Sequence, residues 1–375
     1  MKITKLNKNA AAIMVNRYSL RDESGHPVES PAEILMRTSR VVAEAENNYR
    51  SSGDTAMEVR EKFFEMLYEM RFVPNGRTMA NAGTKYGQLA NCFVLPVEDD
   101  LGKGTDSIFS VLRKAILTLQ TGGGVGFSFG RIRPKDATIS TTKGKATGAV
   151  SFIKVYDTAF WVIGQGGGRR SAAMAVLPVW HPDILEFIRC KATEGQITNF
   201  NISVGLTDEF MKAVKNNDDF TLRHPENGEM YRMIPARELF AEIVKYAHKN
   251  GEPGVLFLDE ANRSNPVPHL YKLEATNPCG EQFLGPYENC CLGSLNLREH
   301  VKKIKGDGYQ VDWEKLAETV NLSVRFLDNV VDANKYVSAV PEIEEAAHKV
   351  RRIGLSVMGL SDMMYMTGVR YGSTK

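Results

Sequence analysis

Along residues 1 to about 75, polar and apolar positions alternate at helical spacing, and in TAMEVREKFFEMLYEM the side chains Phe63, Phe64, Leu67 and Tyr68 fall on one face. This pattern predicts a small helical N-terminal region over 1–75. From about 76 to 180, glycine and threonine become frequent. A helix-period run, DSIFSVLRKAILTLQ with Ile108, Leu112, Ile116 and Leu119 in register, alternates there with short extended pieces, CFVLPV and AAMAVLPV. Such alternation predicts α/β units around a mostly parallel sheet. Two further helices are predicted: HPDILEFI with Pro182 at its first turn, and ARELFAEIVKYAHKNG with Leu239, Phe240, Ile243 and Val244 on one stripe and Gly251 as its stop. GVLFLD reads as a short buried strand. The last hundred residues read as helical, in WEKLAETVNLSVRFLDNVVD and again in EIEEAAHKVRRIGLSVMGLSDMM.

Composition narrows the function classes. A chain of 375 residues with 43% hydrophobic and 25% charged side chains folds around a sizeable core, as roughly two domains or one large α/β unit. Its 47 basic and 45 acidic side chains leave a net charge of +2, which argues against nucleic acid or an acidic membrane as principal partner. Any anion site must be local. Five cysteines, Cys92, Cys190, Cys279, Cys290 and Cys291, are too few and too uneven for a secreted disulfide framework, so a reducing, cytoplasmic setting is expected. The opening MKITKLNKNAAAIMV has only a short apolar patch, interrupted by Lys8 and Asn9, and nothing later approaches the roughly 20 apolar residues of a membrane span.

Three segments could carry chemistry. The glycine run of QTGGGVGFSFGRIRPK, Gly122 to Gly130 followed by Arg131, Arg133 and Lys135, could cradle a phosphate or simply make a tight turn; no Gly-Lys-Ser/Thr closes it as in a P-loop. GQGGGRRSA, Gly164 to Ala172, again joins flexible backbone to paired arginines, as an anion-responsive segment or a solvated loop. In NPCGEQFLGPYENCCLGSLN, Asn277, Cys279 and Glu281 stand at alternate positions, so in an extended strand or finger loop all three would point to one side. The alternative for Cys279 is a buried small hydrophobe. Zinc is disfavoured because C-x2-C spacing is missing, and a thiol hydrolase has no local histidine to serve as base.

RYSLRDESGHPVESPAEILMR, RFVPNGRTMANAG, QLANCFVLPVEDD, TGGGVGFSFGRIRPK, VSFIKVYDTAF, GGGRRSAAMAVLPVWHPDILEFI, NPCGEQ, ENCCLGSLNL and RRIGLSVMGL occur in that order over nearly the whole chain. Together they resemble the N-terminal half of a ribonucleotide reductase catalytic subunit, most closely the adenosylcobalamin-dependent class II; a class I subunit served by a separate metal-containing radical subunit is the alternative within the family. The resemblance implies a helical N-terminal region (1–75) followed over 76–375 by the first half of a ten-stranded α/β barrel around a central finger loop. It implies reduction of ribonucleoside di- or triphosphates, adenosylcobalamin as cofactor and no protein-bound metal. A deoxynucleotide effector, an external dithiol such as thioredoxin and a homodimer are the expected partners.

By the same resemblance Cys279 corresponds to the thiyl-radical cysteine, Glu281 to the general base, Asn277 to the amide that orients substrate hydroxyls, and Cys92 with Cys290 to the reducing pair. Thr78 and Asn91 fall beside the substrate region, together with Asn277, Cys279 and Glu281. Asp99, Asp100, Leu101 and Arg133 fall at the effector site, and Gly167, Arg169 and Arg170 in the loop that relays effector identity. The chain departs from the family pattern at Asn91, where relatives often carry a small hydroxyl or alanine, and at Cys291, where asparagine is commoner. Cys291 and Cys190 are therefore read as packed thiols. The sequence stops about one hundred residues after the finger loop. A second polypeptide supplying the other half barrel, encoded separately or joined by splicing, is expected. The rival from another class is a non-catalytic nucleotide-binding or assembly module.

Overall fold

The computed structural model of the protein describes residues 6–49, 53–139, 142–164, 172–304, 306 and 308–374. In chain order the elements are α1 (Lys8–Tyr18), α2 (Pro31–Ala43), α3 (Ala56–Tyr68), β1 (Phe72–Pro74), α4 (Gly76–Asn81), β2 (Cys92–Val94), α5 (Ile108–Gln120), β3 (Gly124–Ser128) and α6 (Ala149–Gly164). Next come β4 (Ala173–Pro178), α7 (Ile184–Arg189), β5 (Phe200–Leu206), α8 (Asp208–Asn216), β6 (Asp219–Arg223), β7 (Met230–Pro235), α9 (Ala236–Asn250), β8 (Gly254–Phe257) and α10 (Leu258–Arg263). The remainder holds β9 (Ala275–Thr276), β10 (Phe283–Leu284), β11 (Asn289–Asn296), β12 (Val301–Lys303), β13 (Tyr309–Val311), α11 (Trp313–Ala333), α12 (Pro341–Val350), β14 (Ile353–Met358) and α13 (Leu360–Thr367). The fold class is α/β, as expected. Among the described residues no helix is long and apolar enough to cross a membrane.

The chain forms two compact units, one of residues 1–91, 290–336 and 347–375, the other of 92–289 and 337–346. In the first, α2 and α3 each begin in a capping box, Ser30 with Glu33 and Thr55 with Glu58, which satisfies amides that a helix start leaves open. The predicted stripe of α3 is buried at Phe63 and Leu67, with Val59 and Met66 beside them. Phe63 and Phe72 both meet Phe326 of α11 edge-on, with centroids 5.0 and 5.5 Å apart. In this unit β1 runs antiparallel to β11 and β14 parallel to it. The expectation of helix through RRIGLSVMGL is thus corrected: Ile353–Met358 is a strand, registered against Cys291–Asn296. Its β-branched Ile353 and Val357 suit an extended ladder better than a helix interior.

In the second unit β2, β3, β4, β5 and β8 form a parallel sheet in sequence order, with helices in the crossovers. This is the arrangement expected for the first half of a barrel. Its core is aromatic: Phe127 meets Tyr156 edge-on at 5.3 Å, and Phe160 stacks on Phe200 at 5.5 Å. Two local expectations change. Pro182 does not open a helix; α7 begins at Ile184, because the Asp183 carboxylate is engaged by the amides of Lys135 and Ala149. GVLFLD is a strand, but Val255 and Phe257 are exposed because β8 is the last strand of this sheet. On α9, Leu239 and Ile243 are buried, Val244 is exposed and Gly251 ends the helix at φ 84°.

Candidate active site

β9 and β10 form an antiparallel hairpin, Thr276 opposite Phe283, whose connecting turn carries Asn277, Cys279 and Glu281. The turn is closed by the Asn277 amide donating to the Gln282 carbonyl (3.1 Å), by Gly280 donating to the Asn277 carbonyl (3.1 Å), and by Gln282 donating to the Asn277 side-chain oxygen (3.1 Å). Gly280 takes φ 85°, a region costly for any residue with a Cβ. The finger-loop placement is therefore observed, but the one-sided alternation is not. In the turn, Asn277 is buried while Cys279 and Glu281 are exposed. Asn277 donates its side-chain amide to Cys92 Sγ at 3.2 Å, so the structure brings Asn277 and Cys92 into direct contact.

Glycines of β3 make room for this hairpin. A Cβ on Gly126 would lie 1.7 Å from the Thr276 carbonyl oxygen, and one on Gly124 would lie 2.8 Å from the Pro278 ring. Gly124 and Gly126 are two apart on a strand and clear the same face. Of the two readings of the glycine run, the tight turn holds at its ends, where Gly122 takes φ 92° and Gly130 lies in the turn closed by the Ile132 amide on the Phe129 carbonyl (3.2 Å), while Gly124–Ser128 is a ladder strand. Asn201 of β5 adds a clamp, donating its amide to the Pro278 carbonyl at 2.7 Å. The chain marks Gly124 and Gly126 as part of a glycine run but not as a seat, and it does not mark Asn201. The signal for the glycines was their i, i+2 spacing; Asn201 had none.

The electrostatics keep Cys92 and Cys279 protonated. Burial pushes Cys92 up to about 12; the Asn277 hydrogen bond works against this, while the nearby charges of Glu281 and Cys279 add to it. Cys279 reaches the surface, yet the hairpin removes enough water to raise its pKa, and Glu281 raises it further. A nucleophilic cysteine requires the opposite shift. Cys279 is the exposed thiol and the other four are buried, so alkylation is expected to label Cys279 first. Its rate should keep rising above the pH of about 8.5 where a free cysteine is half-ionised. Glu281→Gln removes a negative neighbour and should lower that midpoint. Mass-resolved alkylation rates check both, and a midpoint unmoved by the substitution would contradict the assignment.

The remaining predicted residues are placed as follows. In the first unit, Thr78 is buried in α4 and donates to the Leu89 carbonyl (3.3 Å), while the Asn91 side-chain oxygen is buried with no partner among the described residues. Cys290 and Cys291 are fully buried on β11, consistent with a packed Cys291. Cys190, in the second unit, is buried at the end of α7. Asp99 is ion-paired with Arg133 at 2.6 Å. Asp100 holds its own loop by accepting from the amides of Gly102, Lys103 and Gly104, which keep its carboxyl below the usual range. Leu101 is exposed. Gly167, Arg169 and Arg170 lie outside the described residues.

Residues 90–375 match the family model for the ribonucleotide reductase barrel domain, and residues 4–87 match that for the all-alpha domain of the same enzymes. The chain belongs to the ribonucleotide reductase large-subunit family. A vitamin B12-dependent ribonucleoside-diphosphate reductase of Mycobacterium tuberculosis is 45% identical over 98% of this chain and 52% of its own length. One of the same name from Thermoplasma acidophilum is 39% identical over 98% of this chain and 54% of its length. The ribonucleoside-diphosphate reductase subunit alpha of Chlamydia muridarum is 29% identical over 96% of this chain and 36% of its length. The chain thus spans about half the length of the curated B12-dependent relatives it matches. Within it, the seat formed by Gly124, Gly126 and Asn201 fixes where Cys279 stands.

Proposed function

We propose that this chain carries the thiol machinery of an adenosylcobalamin-dependent ribonucleotide reductase, which converts ribonucleotides to deoxyribonucleotides in the cytoplasm when completed by the other half of its relatives' length. The observation that carries the reading is the contact of Asn277 with Cys92 Sγ, made by the same residue that braces the turn presenting a protonated Cys279. A ribose C2′–OH is a poor leaving group, and loss of the 3′ hydrogen to a sulfur radical weakens the neighbouring bond. In this scheme Cys279 takes that hydrogen atom and returns it at the end. Glu281 accepts the 3′-OH proton and Asn277 orients the hydroxyls. The C2′ oxygen leaves as water. Cys92 and Cys290 supply two electrons and two protons by closing to a disulfide, which an external dithiol such as thioredoxin reopens.

Adenosylcobalamin, when bound, supplies the one-electron chemistry that makes Cys279 a radical. The chain offers it a suitable group: an S–H held in its protonated form at the tip of a turn, with open space beside it, since a Cβ on Gly280 would meet only Met174 Cε at 4.0 Å. That these relatives are ribonucleoside-diphosphate reductases favours a ribonucleoside diphosphate as substrate. For the loop with Asp99, Asp100, Leu101 and Arg133, together with Gly167, Arg169 and Arg170, the role is deoxynucleotide effector binding. A homodimer would use the outward face of α5 and α6, where Phe109, Trp161 and Val162 are exposed; the mass in solution tests it. The deciding assay measures ribonucleotide reduction by the completed protein with and without adenosylcobalamin. Turnover without it, but with a metal-containing radical subunit, would overturn the cofactor assignment. Deoxynucleotide binding with no turnover under either condition would favour the non-catalytic module.

A further inference from the structure

Within the second unit, loop 98–107 is tied to both stems of the hairpin that presents Cys279. On the N-terminal stem, Arg131 bridges Glu98 of the loop and Glu274, the residue before β9, meeting the Glu274 carboxylate at 3.1 Å. On the C-terminal stem, the Tyr287 hydroxyl donates to Asp106 of the loop and accepts from Lys114 of α5, whose ammonium also lies 2.8 Å from Glu342. Tyr287 then grips β2: its amide donates to the Val94 carbonyl at 2.9 Å, and the Val94 amide donates to the Glu288 carbonyl at 3.1 Å. Val94 is two residues beyond Cys92.

This node is costly to build. Lys114 and Tyr287 are both buried, and apolar side chains of similar size would avoid desolvating a charge there. Tyr287 also sits at φ 63°, a left-handed conformation that a bulky residue adopts only when its surroundings enforce it. Burial and the adjacent Asp106 raise the phenol far above its ordinary pKa, so it remains a hydrogen-bond donor to the loop. The loop is itself ordered by Asp100 and by the Glu98 amide on the Asp106 carbonyl (2.8 Å). Displacement at either end is therefore transmitted through fixed contacts rather than absorbed by slack.

We propose that Tyr287, with Arg131 as its counterpart on the other stem, is a positioning residue that couples loop 98–107 to the turn bearing Asn277 and Cys279 and to the strand bearing Cys92. The functional meaning rests on reading that loop as an effector site and that turn as a radical site; the mechanical link can be tested without either. The probe is the alkylation rate of Cys279 in the chain as it stands, with Cys190 as an internal gauge of general unfolding. Tyr287→Phe and Asp106→Ala should each change the Cys279 rate about threefold or more while Cys190 stays protected, and the double variant should do no more than either alone, because both break one link. Rates equal to those of the unaltered chain, or effects that simply add, would overturn the proposal. If Tyr287→Phe unfolds the protein, which exposes Cys190, then Asp106→Ala and the surface variant Arg131→Gln carry the test: each should change the Cys279 rate about threefold or more with Cys190 protected, and unchanged rates in both would overturn the proposal. Deoxynucleoside triphosphates should also alter the Cys279 rate, an effect lost in Tyr287→Phe while binding persists. Failure of these nucleotides to bind would remove the effector reading and leave the coupling to be decided by the ligand-free rates.

Discussion

Cys279→Ser in the completed protein should reduce ribonucleotide turnover by at least about 10³-fold, equivalent to about 4 kcal/mol or more of lost transition-state stabilisation, while leaving nucleotide binding nearly intact. The asymmetry follows from where the residue sits and what it does. Its side chain is exposed at the tip of the 277–282 turn, and that turn is braced by Asn277 and seated on β3 without help from the sulfur. Serine preserves this geometry and adds no bulk. What it removes is the weak S–H bond from which a hydrogen atom can be withdrawn and to which it can be returned; the serine O–H bond is much stronger. Equilibrium binding of the substrate nucleotide and single-turnover product formation separate the two effects. Residual turnover within tenfold of the parent would mean that Cys279 is not the hydrogen-atom carrier. Cys92→Ser should instead yield no deoxynucleotide even in a single turnover while still allowing hydrogen abstraction by Cys279, since its proposed role is to supply electrons after the C2′ oxygen departs.

The helices were legible in the chain because their signals are local. The Phe63 and Leu67 stripe, and Leu239 with Ile243 before Gly251, need only a 3.6-residue period and a left-handed stop. Ile353–Met358 departs from the helical pattern for the opposite reason: it follows directly on a helix-period run, and its strand partner, β11, lies some 60 residues earlier. Cys279, Glu281 and Asn277 stand out by residue type and spacing, and the loop is where the chain predicts it, but alternate positions share one side only where the backbone stays extended, and Gly280 turns it. The contact between Cys92 and Asn277 joins positions 185 residues apart, and no pattern along the chain encodes it. Lys114 shows the limit most clearly. It occupies a helix position that could as well be solvated, and only the fold reveals that it is buried against Tyr287 and Glu342.

Gly126→Ala is expected to be among the most damaging single methyl additions in the second unit, lowering stability by about 3 kcal/mol or more and displacing the thiol-bearing turn. The added Cβ would stand 1.7 Å from the Thr276 carbonyl oxygen and 2.8 Å from its carbon, and backbone cannot rotate away as a side chain can. β3 cannot yield either. It is paired on both sides, with Gly126 opposite Val94 of β2 and Met174 of β4. The hairpin must therefore lift, which opposes the Asn201 clamp on Pro278 and the Asn277 contact with Cys92. At about 2–4 °C per kcal/mol for a unit of this size, the melting temperature should fall by about 6–12 °C. The Cys92 thiol should then become open to alkylation below the transition. Gly102→Ala is the control: a Cβ there meets nothing within 4 Å, and the change should stay within about 0.5 kcal/mol. Calorimetry and thiol labelling of both variants decide the matter, and a Gly126→Ala chain that melts with its parent and keeps Cys92 protected would show that the hairpin does not rest on the glycines of β3.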